Sequence, residues 1–257
     1  MYITLRQIKA NQPCERSWNM LQAMLSTSHF SGVTMDTKLP LRLGLTLWPQ
    51  ENIKSNVDDV LWCFNAVDTN IRERKLFVVW LAQQAKHLMT DVRSRDALEV
   101  AERFANGEAS AKERAAAVEA ANRAVDEIAG FAIAYNEGRA MSADDVARIV
   151  GGYENIRSAA PAARAARAAL GYAPSGSTDK WWAFDTMDFV LRALSYEARR
   201  KAELERTADG TTGSLEAEAT SCVRLSFYTL VAQRLDMLFD HTESGRRYEI
   251  KGLAPCN

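Results

Sequence analysis

The chain has 257 residues, 47% of them hydrophobic and 25% charged. That is the make-up of a soluble folded protein, long enough for one large or two small domains. Its 32 basic and 33 acidic residues leave a net charge of −1, so no global field draws it to nucleic acid or to a membrane surface.

In chain order, Thr4 is placed to cap a short first helix through about Ala10. Pro13 precedes a second, in which Trp18, Leu21 and Leu25 share a face. From Ser26 to Lys54 the helical period fails. Leu39 to Leu47 carries leucine at every second position, the alternation of a strand. With no partner strand evident, an extended packed loop is the preferred reading and a hairpin contact the lesser one. Ser55 or Asn56 is the expected cap of a helix that buries Val57, Val60, Leu61 and Phe64. After a break at Asp68 to Asn70, another helix aligns Phe77, Leu81, Ala85 and Leu88 on one face.

The most explicit local signal lies between Asp96 and Ala117. Asp96 is the expected N-cap of a helix with Ala97, Val100, Ala101 and Phe104 on one side. Asn106 and Gly107 supply a left-handed stop. Ser110 and Glu113 then form a capping box, each satisfying a free backbone N–H of the other. The helix that follows runs toward Tyr135 and is stopped by Asn136 to Gly138. Ser142 with Asp145 repeats the box 32 residues on (142 − 110), which hints at a repeated helical hairpin.

Gly151 and Gly152 interrupt the next segment, and Pro161 is expected to kink or end it. Ala162 to Leu170 forms a short helix with Arg164 and Arg167 outward. The loop from Gly171 to Ser177 is the best internal boundary. It gives a helical domain over residues 1–175 and a C-terminal helical hairpin over 176–257, packed on the same core. Phe184, Met187, Leu191 and Leu194 stripe the first helix of that hairpin, to about Arg206. Ser214 caps the second, on which Phe227, Val231, Leu235 and Leu238 align, and the tail from His241 is loosely held. The fold class is all-α, a multi-helix bundle or a short solenoid-like stack of helical hairpins.

The run AERFANGEAS, Ala101 to Ser110, followed by an Ala-rich charged helix, resembles the immunity-protein family carried mostly in phage genomes. That family is similar to a helical immunity-protein domain of bacterial polymorphic toxin systems. Thr4-Leu5 through Ile8, then Pro13-Cys14, Trp18 and Leu21, resembles its opening. So do Asp58 to Trp62 and the helix from Arg74 through Leu88. The resemblance covers roughly residues 3–125. It implies a non-enzymatic protein that docks on a toxin or nuclease and occludes it. In a phage setting the same scaffold would inhibit a host or defence protein. The resemblance brings no catalytic motif.

The residues themselves point the same way. His29, His87 and His241 are isolated, with no HExxH or Cys/His spacing, so no metal and no cofactor is expected. Asp185 and Asp188 share a helical face, but acids early in a helix complement its dipole, and Asp58-Asp59 and Asp144-Asp145 read alike. Cys14 stands before a helix whose dipole lowers a thiol pKa, yet no histidine pairs with it; a structural cysteine is the preferred reading. No GxSxG elbow and no phosphate-binding glycine loop is present. Arg164, Arg167, Arg192, Arg199, Arg200 and Lys201 are balanced by acids. A nucleic-acid-associated accessory protein is therefore the reading from another class, with nucleic acid ranked well below a protein partner. One of the adjacent Trp181 and Trp182 must point away from a helix core, and these are the candidate partner-binding residues. The four cysteines, Cys14, Cys63, Cys222 and Cys256, lack paired spacing, and no signal-peptide pattern precedes them. Reduced thiols in the cytoplasm of a bacterial host are expected, and no apolar run reaches the roughly 20 residues that span a bilayer. Nothing in the pattern sets the oligomeric state.

Overall fold

The computed structural model describes residues 1–26, 32–41, 43–47, 53–66, 71–139, 142–144, 146, 155–171, 182–209 and 215–244. Among these residues the protein is all-α apart from one two-stranded sheet. Two compact units emerge. One joins Met1–Ile71 to Tyr228–Lys251, and the other is built on Arg72–Phe227. The boundary expected near residue 175 lies outside the described residues.

The first unit opens with strand β1 (Tyr2–Thr4), which runs directly into helix α1 (Leu5–Ala10). Thr4 serves both. Its hydroxyl accepts from the Gln7 N–H at 3.1 Å while the Gln7 side chain accepts from the Thr4 N–H at 2.9 Å, so the expected cap is a full capping box. β1 pairs antiparallel with β2 (Lys38–Pro40) in the register Tyr2↔Pro40, Ile3↔Leu39, Thr4↔Lys38. The extended-loop expectation for the alternating leucines is thereby corrected. Lys38–Pro40 has a strand partner, and Leu43–Leu47 coils into the short helix α3. Ile3, Leu5, Ile8, Leu39 and Leu41 are buried around this sheet.

Helix α2 (Glu15–Leu25) is capped by Cys14, and its expected stripe of Trp18, Leu21 and Leu25 is half-buried. The Lys9 ammonium sits 5.9 Å from the centre of the Trp18 ring. Helix α4 (Ile53–Ala66) begins before the two residues expected to cap it, and Asn56 is buried inside it. Val57, Val60, Leu61 and Phe64 are buried as their spacing predicts. Phe64 meets Phe239 edge-to-face, with ring centroids 5.9 Å apart.

The second unit carries α5 (Ile71–Gln83) from Arg72 onward, a 3₁₀ turn (Lys86–Leu88) and α6 (Val92–Ala105). Phe77, Leu81, Ala85 and Leu88 are all buried, although the helix has given way to the 3₁₀ turn before the last of them. The cap of α6 is Asp91 and not Asp96. The Asp91 carboxylate accepts from the Arg93 N–H at 2.8 Å, and Asp96 lies exposed one turn inside. The stop at Gly107 (φ +78°) has the Schellman pattern: Gly107 N–H donates to Phe104 O at 3.1 Å and Glu108 N–H to Arg103 O at 2.8 Å. Ser110 and Glu113 then close both bonds of the capping box on α7 (Ala111–Asn136).

The same stop recurs 31 residues later (138 − 107). Gly138 has φ +65° and donates to Tyr135 O, and Arg139 N–H reaches Ala134 O at 2.9 Å. Val146 N–H donates to Ser142 O at 3.1 Å, while Asp145, the acid of the second box, lies outside the described residues.

Helix α8 (Ile156–Ala169) contains Pro161, which was expected to kink or end it. The proline costs one backbone hydrogen bond, and packing outweighs it. Ala159, Ala160, Ala162, Ala163, Ala165, Ala166, Ala168 and Ala169 are all buried, because α8 touches α6, α7, the 3₁₀ turn and α9 (Trp182–Asp209). Alanines let these helix axes approach closely. Arg167, expected outward, is buried, with Nη1 3.4 Å from Asn122 Oδ1. On α9, Met187, Leu191 and Leu194 are buried and Phe184 is half-buried. Helix α10 (Leu215–Ser244) buries Phe227, Val231 and Leu235, with Phe239 fully enclosed and Leu238 half-buried. Arg199 Nε donates to Thr220 Oγ1 at 3.2 Å, which ties α9 to the first part of α10. Ser214, its expected cap, lies outside the described residues.

Candidate functional site

Trp181 lies outside the described residues. Trp182 is the first residue of α9, and the described part of it is its backbone. His29 also lies outside, as do the side chain of His241 and the Gly151-Gly152 pair. Among the described residues, no three His, Cys, Asp or Glu side chains gather closely enough to hold a metal ion.

Asp185 and Asp188 separate in role. Burial, then the charge of Asp188, raises the Asp185 carboxyl above its ordinary value. Asp188 faces solvent and pairs with Arg192 one turn on, at 2.8 Å. That is the i,i+4 ion pair of a solvated helix face, worth a few tenths of a kcal/mol.

Cys14 caps α2 through its sulfur. It is exposed, and its Sγ accepts from the Ser17 N–H at 3.4 Å and lies 3.1 Å from Ser17 Oγ. These Ser17 contacts lower the thiol pKa, the side-chain bond most. The Ser17 hydroxyl in turn donates to Asp59 Oδ1 at 2.9 Å, joining α2 to α4. Burial raises the Asp59 carboxyl, against the pull of Ser17. Cys63, one turn beyond Asp59, is pushed up to about 12, chiefly by burial. The two thiols of this unit are therefore chemical opposites.

Other polar side chains of the second unit fasten helices together. Arg93 bridges Asp91 at 2.6 Å and Glu127 at 2.7 Å, locking the start of α6 to α7. Phe104 takes Lys75 at 4.6 Å and Arg114 at 5.1 Å over its ring. Arg114 Nε also donates to Leu170 O at 2.7 Å, satisfying a carbonyl at the end of α8. His87 Nε2 lies 3.0 Å from Glu197 Oε2, while Lys201 holds the other oxygen at 2.9 Å. The His87 bond, against burial and with help from Lys201, brings the Glu197 carboxyl down to about 2.

Several large apolar side chains are exposed in this unit. Ile133 (53% exposed) and Tyr135 stand on the last turns of α7, Tyr196 and Leu204 (60%) on α9, and Leu225 (59%) on α10. All five belong to the second unit, as does the exposed Val92, while Tyr2 and Ile71 are exposed in the first. None was singled out from sequence, although a signal was present. Leu204 sits between Glu203 and Glu205, a lone apolar residue on a charged stretch.

No family model matches the chain, and no curated protein and no solved structure matches it either. The fold defines an all-α protein, and among the described residues no helix is long and apolar enough to cross a membrane.

Proposed function

We propose that this chain is a non-enzymatic binding protein, an immunity-type inhibitor that docks on a protein target such as a toxin or nuclease and occludes it. The observation that carries the reading is the set of outward apolar side chains Ile133, Tyr135, Tyr196, Leu204 and Leu225 on three helices, the first of them capped by Ser110 and tied to α6 by Arg93. Large apolar and aromatic side chains on a fixed scaffold are what a partner buries first. The resemblance of residues 3–125 to phage-borne immunity proteins supplies the kind of partner, and the host cytoplasm is where it would be met. A phage-encoded inhibitor of a host or defence protein would use the same surface. Either needs an interface of about 1,600 Å² in total.

The test is capture of partners by the tagged chain in its bacterial host, with nuclease present and washes at moderate and high salt. One stoichiometric protein that survives both washes, and is lost from Ile133→Asp and Leu204→Asp variants that still fold, supports the reading. Retention of nucleic acid alone, released by high salt, replaces it with the nucleic-acid accessory class.

A further inference from the structure

We draw no further inference here: the strongest candidate, the exposed Cys14 thiol at the N-terminus of α2 with Ser17 and Asp59 behind it, is a lone cysteine at a helix N-terminus, and no second observation in the structure points to a ligand for it.

Discussion

Two isoleucines on α7 give a matched test of how this fold is held. Ile128 is 1% exposed, in a cluster with Val125, Val146, Ala159, Ala160 and Ala163 and with Phe131 and Ala132 at its edge. Ile133 is 53% exposed on the same helix. Ile128→Ala removes three carbons, about 2.4 kcal/mol of transfer free energy at roughly 0.8 each. Its neighbours are mostly alanines, which have no rotamer to swing into the gap, so the cavity persists. The expected cost is therefore about 3–4 kcal/mol, in the upper part of the usual range. Ile133→Ala loses far less buried surface and gains helix propensity, so its effect stays within about 0.5 kcal/mol of zero. Urea unfolding followed by far-UV circular dichroism separates the two if the m-value is unchanged. At roughly 2–4 °C per kcal/mol for a unit of this size, melting temperatures should differ by about 10 °C. Equal costs for the two variants, or less than about 1 kcal/mol for Ile128→Ala, would refute the assignment of buried and outward faces on α7.

Three other outcomes follow from local chemistry. Ser110→Ala removes the acceptor of the Glu113 N–H and should lower stability by about 1 kcal/mol; Ser110→Thr, which keeps the hydroxyl, should restore most of it in the same urea titration. The depressed Glu197 carboxyl gives stability that is present above the unfolded glutamate range and lost as pH falls from 4.5 toward about 2. Acid titration of Glu197→Gln should be flatter in that window, and an unchanged curve would remove the His87–Glu197 contact from the ledger. Iodoacetamide at neutral pH should alkylate Cys14 and Cys222 in the folded protein and spare Cys63. Ser17→Ala should slow the Cys14 reaction several-fold, read by peptide mass spectrometry.

What the sequence made legible was chemistry completed within a few residues. The stop at Gly107 and the box at Ser110 are each closed by neighbours, so their spacing was enough. The start of α6 was not. Asp91 and Asp96 are equally good caps in isolation, and the choice is tied to Arg93, whose guanidinium also reaches Glu127, 34 residues away. β1 and β2 are three residues each, too short for a period of two to register, and their partnership crosses the whole of α1 and α2. Pro161 does not end its helix, because local rules take no account of a helix packed on several sides. Trp181 and the side chain of Trp182, the candidates named by residue type, lie outside the described residues, while the exposure of Leu204 goes with the exposed Glu203 and Glu205 on either side of it.

The first unit draws on both ends of the chain, and synthesis runs in one direction only. Phe64 leaves the ribosome 175 residues before Phe239, the ring it packs against (239 − 64). Residues 72–227, on which the second unit is built, have emerged by then. For that interval the apolar face of α4 waits without its final cover, which is the kind of surface chaperones hold and neighbouring chains stick to. A message cut short before Tyr228 would leave the first unit without the stretch of α10 that carries Phe239. The closing stretch of α10 thus brings the last cover for Phe64.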